Sequence, residues 1–279
     1  MTPKVKKAVF MLSTAALTLA YTGCGSSSSQ ECMDVIGYPY ASSTAIGNGL
    51  NGSPVSSLAF DTNGTAYVVA ENSDTSEAVL YTVDSANATA TIVYDSWYNG
   101  IDDMAYNAID GKLYVTEDTD YVDWYEIATG NRNDPSYLPN NGAPEAIAIA
   151  PDGTTYYVND KTLYILDTTD GAESLGDPIA TLNRDYIGLG YYNGMLYGAS
   201  SDEKGAIYTI NPTTFSETYV NKVNCPADDG NCTLEDIGFK NGVMYGVMGG
   251  SESSTDPDQL VGALVKWNNS CGDYTPPAP

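Results

Sequence analysis

The chain has 279 residues, enough for one large domain with a sizeable core. Its 36 acidic and 11 basic residues give a net charge of -25, which disfavours nucleic acid and anionic membrane surfaces as partners and attracts cations. No histidine is present, so imidazole general bases, Ser-His-Asp triads and histidine-ligated metals are excluded.

Residues 1–23 have the organisation of an export signal, in which three lysines precede an apolar run too short to span a bilayer. The Thr-Gly-Cys ending resembles a bacterial lipobox with Cys24 as the lipid acceptor, although Tyr21 stands where that pattern usually has an aliphatic residue. We therefore expect a lipoprotein of the outer membrane or cell surface, attached to the membrane only through its lipid anchor. The alternative is a periplasmic or secreted protein. The serine-rich residues 24–31 form a flexible tether in this interpretation.

The other four cysteines form an even set in an oxidising compartment. We predict a local disulfide between Cys225 and Cys232 and a long-range disulfide between Cys32 and Cys271. Four cysteines allow three connectivities, and free thiols are the alternative.

A repeat determines the predicted architecture. Five segments contain a turn glycine followed three residues later by tyrosine, and the glycines lie 41 to 48 residues apart: Gly64/Tyr67, Gly111/Tyr114, Gly153/Tyr156, Gly194/Tyr197 and Gly242/Tyr245. Alternating apolar residues flank each glycine, which is typical of a β-hairpin with a tight Asn-Gly or Asp-Gly turn. A third strand follows each hairpin and a weaker fourth strand follows in most repeats. Four strands in each repeat of 40 to 50 residues indicate propeller blades.

The predicted fold is therefore an all-β propeller with five four-stranded blades over residues 32–274, followed by a proline-rich tail at 275–279. The fifth repeat lacks a good fourth strand of its own. A spare N-terminal strand at 33–40 would complete that blade, so that N- and C-terminal strands pair and close the ring. Such closure removes the open edges of the terminal blade, and a Cys32–Cys271 bond would staple it.

The repeat unit resembles secreted bacterial propellers of the NHL, YVTN and SMP-30/gluconolactonase-like superfamily over roughly residues 56–268. These families include binding scaffolds, lactonases and lyases, so the resemblance is specific for architecture and weak for function. Gluconolactonase-like relatives have a metal-binding glutamate at the start of the inner strand, which Glu145 or Glu235 resembles.

Acidic residues recur near the start of the first strand of each repeat. When the strands are aligned on a small residue (Ala59, Ala105, Ala148, Gly188 or Gly238), the position three residues earlier is Ser56, Asp102, Glu145, Asp185 or Glu235. In a propeller these positions form a ring around one mouth of the central channel. Oxygen ligands around an opening suit Ca²⁺, so we predict a calcium site formed by Asp102, Glu145, Asp185 and Glu235. The alternative is that these acids are hydrated loop residues. Asp236, with Asp103 as its only acidic counterpart, is not assigned to the site.

The loops on the same side of the predicted ring are also acidic, and Trp97, Tyr98 and Tyr137 lie among them. Carboxylates, amides and aromatic rings on one face suit a protein, peptide or glycan partner. The first hypothesis is therefore a non-enzymatic surface module with a possible calcium site. The alternative is a propeller-class glycosidase or lactonase that uses carboxylates, because neither reaction requires histidine.

Overall fold

The computed structural model describes residues 33–37, 40–41, 55–72, 77–86, 89–97, 100–117, 121–132, 136–137, 144–167, 174–223, 233–249 and 263–267. The predicted signal sequence, the tether, all five cysteines, Tyr98 and the proline-rich tail lie outside the described residues. Every regular element of the described part of the chain is a β-strand.

The strands form five sheets, which are the blades of a propeller. Their pairing is antiparallel, except that the short strand Tyr40–Ala41 pairs parallel with the outer strand of the first blade. Two N-terminal strands come first: β1 (Met33–Gly37) and β2 (Tyr40–Ala41). The first blade contains β3 (Val55–Phe60), β4 (Ala66–Asn72), β5 (Glu77–Val83) and β6 (Thr89–Trp97). The second contains β7 (Ile101–Asn107), β8 (Lys112–Glu117), β9 (Tyr121–Glu126) and two short outer strands, β10 (Asn131–Arg132) and β11 (Ser136–Tyr137).

The remaining blades follow the same order from the inner strand outward. The third contains β12 (Ala146–Ile149), β13 (Thr155–Asn159), β14 (Thr162–Asp167) and β15 (Ser174–Thr181). The fourth contains β16 (Tyr186–Tyr192), β17 (Met195–Ser200), β18 (Ala206–Ile210) and β19 (Glu217–Lys222). The fifth contains β20 (Thr233–Lys240), β21 (Val243–Gly249) and β22 (Ala263–Trp267).

The N-terminal strand closes the ring, as the sequence predicts. Strand β1 pairs antiparallel with β22, with Met33 opposite Trp267 and Val35 opposite Val265. The fifth blade therefore has the order β20-β21-β22-β1 and joins the two ends of the propeller. This pairing satisfies the outer edge of β22, which would otherwise present unpaired backbone groups.

The five hairpin turns have the backbone conformation that their sequences demand. All five turn glycines have positive φ, from 74° at Gly111 to 89° at Gly153. In the fourth and fifth blades the preceding asparagine is also left-handed, with φ of 50° at Asn193 and 51° at Asn241. Two consecutive left-handed residues characterise the type I′ turn, whose twist matches that of paired strands.

Aromatic residues pack between neighbouring blades, so the tyrosines of the repeat are mainly architectural. Among the described residues, five ring pairs cross blade boundaries, with these distances between centroids: Phe60 with Tyr245 at 5.2 Å, Tyr94 with Tyr125 at 5.7 Å, Tyr156 with Tyr191 at 6.3 Å, and Phe239 with Tyr192 and with Tyr197, both at 4.8 Å. Five tyrosines rank among the largest fully buried side chains: Tyr81, Tyr114, Tyr157, Tyr186 and Tyr197. Each such ring removes a large apolar area from water and gives geometric specificity to the blade interface.

The propeller has two faces, which we name by its inner strands. The entry face is where these strands begin, at Val55, Ile101, Ala146, Tyr186 and Thr233. The hairpin face is where the five turn glycines lie. The second strand of each blade runs back to the entry face, so the loops between second and third strands also belong there.

Candidate functional site at the propeller axis

The inner strands share a bulge close to the entry face. In four blades the pairing of the inner strand skips one residue, which is Ser56, Asp102, Ile187 or Glu235. A bulge re-aims the neighbouring side chain and ends regular pairing, and such irregularities concentrate at functional or crowded positions. Two of the four acids predicted to form the ring, Asp102 and Glu235, are thus bulge residues.

Strand pairing corrects the predicted alignment of the fourth blade. The repeat tyrosines lie opposite Ala59, Ala105, Ala148, Gly190 and Gly238. The small residue of the fourth blade is therefore Gly190, whereas the sequence alignment used Gly188. The error arose because both glycines occupy small, buried positions of one Ile-Gly-Leu-Gly run. In the observed register Ile187, and not Asp185, is equivalent to Asp102 and Glu235.

Glu145 and Asp185 nevertheless meet on the entry face, just before the inner strands of the third and fourth blades begin. Their carboxyl groups lie within hydrogen-bonding reach of each other. Burial, Asp185 and the nearby Asp160 raise the pKa of Glu145 to about 7. Asp202 extends this acidic group because it accepts a hydrogen bond from the Asp185 N–H at 3.2 Å and pairs with Lys161 at 2.8 Å.

Glu235 has different surroundings. The Thr233 hydroxyl donates to its Oε1, and burial raises its pKa, an effect that Thr233 and Lys204 oppose. Asp102 is half-buried at its own bulge. Within the described ranges, no group of three or more Asp, Glu or Cys side chains is arranged to hold a metal ion. The structure therefore brings Glu145 and Asp185 together, and calcium binding stays a prediction.

Two aspartates that the sequence interpretation did not assign to a site, Asp103 and Asp236, meet at the centre of the molecule. Both are fully buried, and their carboxyl groups hydrogen-bond to each other. They come from the second and fifth blades, which are not neighbours in the ring. The contact therefore spans the central channel.

The two carboxyl groups accept backbone N–H groups from all five blades. Asp103 Oδ1 accepts from Met104 at 2.7 Å, and its Oδ2 accepts from Ile147 at 2.7 Å and from Leu189 at 3.0 Å. Asp236 Oδ2 accepts from Leu58 at 2.6 Å, and its Oδ1 accepts from Ile237 at 2.5 Å. The five donors are equivalent residues, each immediately before the small residue of its inner strand. We name this arrangement the axial clasp: Asp103, Asp236 and the N–H groups of Leu58, Met104, Ile147, Leu189 and Ile237.

Burial favours a shared proton in the axial clasp. Burial and the neighbouring Asp236 raise the pKa of Asp103 well above its usual value, although N–H donors oppose the shift. Burial also raises the pKa of Asp236 to about 7, against the hydrogen bonds from Asp103, Leu58 and Ile237. Two carboxylates in contact cannot both ionise easily in a buried site, so Asp103 holds the shared proton and donates it to Asp236.

Glycines allow the inner strands of the fourth and fifth blades to approach closely beside the clasp. A Cβ atom at Gly188 would overlap the Glu235 carbonyl, and one at Gly190 would overlap the Ile237 carbonyl. Gly238 faces the Phe60 ring of the first blade, which lies 2.9 Å from the position a Cβ would occupy. These positions require glycine because backbone or ring atoms fill the space of a side chain.

A second group of buried charges lies in the second blade. Arg132 is ion-paired with Asp123 through Nε and lies 3.6 Å from Glu117 Oε1. Burial and Asp123 raise the pKa of Glu117 to about 7, while Arg132 opposes the shift. Tyr94 of the first blade also hydrogen-bonds to Arg132, so the group links two blades. Both carboxylates face the same guanidinium, so this group forms a polar contact at a blade interface.

Comparison with known proteins supports the architecture. No protein-family model matches the chain, and no curated protein sequence matches it. Among solved structures, the chain is similar to the glutaminyl cyclase of Myxococcus xanthus, with 13% sequence identity and a TM-score of 0.56. The match covers 85% of this chain and 96% of that chain. At this identity the likeness shows the propeller fold alone. No helix in the described part of the chain is long and apolar enough to cross a membrane.

Proposed function

We propose that this protein is an exported, lipid-anchored β-propeller that binds a partner through its acidic entry face and has no catalytic role. The anchor is Cys24, and the site of action is the outer membrane or cell surface. The partner is a protein, peptide or glycan that carries positive charge or many hydrogen-bond donors. The chain's charge of -25 supports this choice, because it attracts cationic surfaces and repels anionic ones.

The observation that carries the proposal is the burial of the axial acids. Asp103 and Asp236 each have 0% exposure, and hydrogen bonds occupy both oxygens of each carboxyl group. A general acid or base must reach the proton that it transfers, and these two groups cannot reach a substrate in solution. Their position favours a structural task in the propeller centre and leaves the exposed acids of the entry face for binding.

The entry face supplies the chemistry that such binding needs. Asp202 and Glu203 are exposed in the loop between the second and third strands of the fourth blade. Glu145 and Asp185 lie at the nearby start of the inner strands, and Lys161 is paired with Asp202. Exposed carboxylates accept hydrogen bonds from sugar hydroxyls or ammonium groups, while the buried core fixes their relative positions.

The binding test uses the mature chain from residue 24 and an immobilised lysine-rich peptide, measured at low and high salt. Binding that weakens with salt and is lost in Glu145→Gln/Asp185→Asn/Asp202→Asn supports the proposal. A matched variant on the hairpin face, Asp84→Asn/Asp110→Asn/Asp152→Asn, removes the same number of carboxyl groups and should leave binding intact. Equal losses in both variants would show that only net charge matters and would reject a site on the entry face.

Calcium binding by Glu145 and Asp185, with Asp102 and Glu235, belongs to the same proposal. The high pKa of Glu145 supports it, because a cation between the two carboxyl groups would relieve their mutual repulsion. Calorimetry with Ca²⁺ should give saturable heat that Glu145→Gln/Asp185→Asn removes. Absence of submillimolar binding in the unmodified chain would reject the calcium site and leave partner binding untouched.

The alternative function is a glycosidase or lactonase that uses carboxylates. The structurally similar protein is an enzyme by its name, a glutaminyl cyclase, and this is its only support for the alternative. Glycosidases place two carboxyl groups about 5–5.5 Å apart for retention and about 6.5–9.5 Å apart for inversion. Glu145 and Asp185 are within hydrogen-bonding reach, which is closer than either arrangement requires. Release of product from aryl glycosides or lactones, abolished by Glu145→Gln, would overturn the non-catalytic proposal.

A further inference from the structure

A groove of about 460 Å³ opens on the hairpin face, between the first and fifth blades. This volume lies in the range of small-molecule sites. Five hydroxyl-bearing residues line it together with a lysine: Thr65, Thr82, Ser85, Thr89, Thr91 and Lys240. It lies on the opposite side of the ring from the acidic entry face, so a ligand here would not compete with the partner proposed above.

Lys240 is held in the groove by two contacts. Its Nζ donates to Ser85 Oγ at 2.8 Å. Its aliphatic stem crosses the turn at Gly64, where an added Cβ would lie 2.9 Å from Lys240 Cε. Glycine suits position 64 for two reasons: its φ of 77° disfavours other residues, and the absence of a Cβ leaves room for the lysine stem. The ammonium group is therefore placed by the fold and does not merely extend into solvent.

The surroundings of this lysine differ from those of the ion-paired cations in the described part of the chain. Lys112, Arg132 and Lys161 each pair with a carboxylate. Lys240 bonds to a serine hydroxyl, although the chain has 36 acidic residues available for pairing. The hydrogen bond to a hydroxyl is not an ion pair, so the ammonium can still pair with an anionic ligand group.

We propose that this groove binds a singly charged, carboxylate-bearing sugar, with Lys240 facing the carboxylate and the threonine and serine hydroxyls facing the sugar hydroxyls. Hydroxyl side chains both donate and accept, as sugar hydroxyls do, so a row of them matches a polyol. The strongly negative field of the whole chain disfavours ligands with several negative charges. Asp84 at the edge of the groove is an exposed acceptor for a further hydroxyl.

The experiment titrates the mature chain with glucuronate at low ionic strength and follows backbone amide shifts by NMR. We expect weak, saturable binding with shifts concentrated around Thr82, Thr91 and Lys240. Glucose tests the need for charge, and inorganic phosphate tests the need for hydroxyls. Binding of glucuronate at least about tenfold tighter than either probe supports the proposal.

Lys240→Met keeps the aliphatic stem over Gly64 and removes the charge, so it should fold normally and bind glucuronate at least about tenfold more weakly. Lys222→Met removes the same charge on the outer strand of the fourth blade and should bind as the unmodified chain does. Thr91→Val should weaken glucuronate and glucose alike. Equal affinity for glucose, tighter binding of phosphate, no saturable shifts, or unchanged affinity in Lys240→Met would each overturn the assignment.

Discussion

Asp103 of the second blade and Asp236 of the fifth blade hydrogen-bond to each other across the centre of the propeller, and between them they accept one N–H from every blade. Neighbouring blades of a propeller are normally joined by side-chain packing. In this molecule a polar contact also joins blades that are not neighbours. The axial clasp therefore couples the ring as a whole.

Removal of either aspartate should destabilise the propeller strongly. Asp236→Ala leaves the buried N–H groups of Leu58 and Ile237 without an acceptor, at about 1–3 kcal/mol each, so we expect a loss of roughly 2–6 kcal/mol in the free energy of unfolding. Asp103→Ala orphans three N–H groups and should cost more. Urea titration followed by tyrosine and tryptophan fluorescence measures both losses.

The control for these variants is Asp84→Ala, which removes an exposed acid on the hairpin face and should change the free energy of unfolding by no more than about 0.5 kcal/mol. A clasp variant that matches this control would show that water replaces the carboxyl oxygens without cost. The order of the two losses is a sharper test than their size, because the number of orphaned donors determines it.

The blade count, the hairpin turns and the closing strand could be predicted because each depends on local sequence. Asn193-Gly194 and Asn241-Gly242 specify their turns whatever the rest of the chain does. The closing strand follows from the number of strands in each repeat, because the fifth repeat lacks a fourth strand and residues 33–37 can supply it. Burial of Tyr114 and Tyr197 agrees with the core role that the sequence predicts for tyrosines at strand positions.

The axial clasp could not be predicted because its contacts are non-local and break the fivefold repeat. The acids that recur in most blades are those aligned with Asp102, Glu145 and Glu235. The clasp needs only two acids, one each from two blades, and so does not appear as a repeat. The signal was present, since Asp103 and Asp236 occupy equivalent positions two residues before their small residues. Equivalent positions on the inner strands of a ring all lie near the central axis. Two acids at such positions can therefore meet there and accept hydrogen bonds from five N–H groups.

Stability should fall as pH rises from about 4 to above 7. Unfolded aspartate releases its proton near pH 3.9, whereas the folded clasp retains it to higher pH, because burial raises the pKa of Asp103 and raises the pKa of Asp236 to about 7. The folded state then binds more protons than the unfolded state, so each retained proton lowers stability by about 1.4 kcal/mol per pH unit. Glu117 and Glu145, with pKa values raised to about 7, act in the same direction.

The measurement is a series of urea titrations between pH 5 and pH 8. Asp103→Asn carries no titrating proton and can still donate to Asp236, so its slope should be shallower than that of the unmodified chain by up to one proton. Asp84→Asn removes an exposed acid and should keep the original slope. A stability that is flat or rises over this interval would contradict a protonated clasp.

Gly190→Ala should destabilise the fourth and fifth blades because the new methyl group would overlap the Ile237 carbonyl and lie 3.1 Å from the Phe239 ring. We expect a loss above about 2 kcal/mol in the free energy of unfolding, since neither backbone nor a stacked ring can move freely in a packed core.

Gly194→Ala is the matched control: its site is open, and only its φ of 80° opposes alanine. That variant should cost about 1 kcal/mol. Thermal unfolding by circular dichroism compares the two, and equal losses would show that the inner strands can separate.

Deletion of β1 should open the ring. A mature chain that begins at Tyr38 lacks the strand that pairs with β22, so the outer edge of Ala263–Trp267 loses its hydrogen-bond partners. An exposed edge strand pairs readily with other chains, so we expect a lower unfolding temperature and concentration-dependent oligomers. A chain that begins at Met33 keeps the strand and should remain monomeric, with an unfolding temperature close to that of the mature protein.

Light scattering after size exclusion distinguishes the two chains, and a synthetic peptide of residues 31–39 should restore the shorter chain to a monomer. Identical behaviour of both chains would mean that the axial clasp and the blade interfaces close the ring without β1.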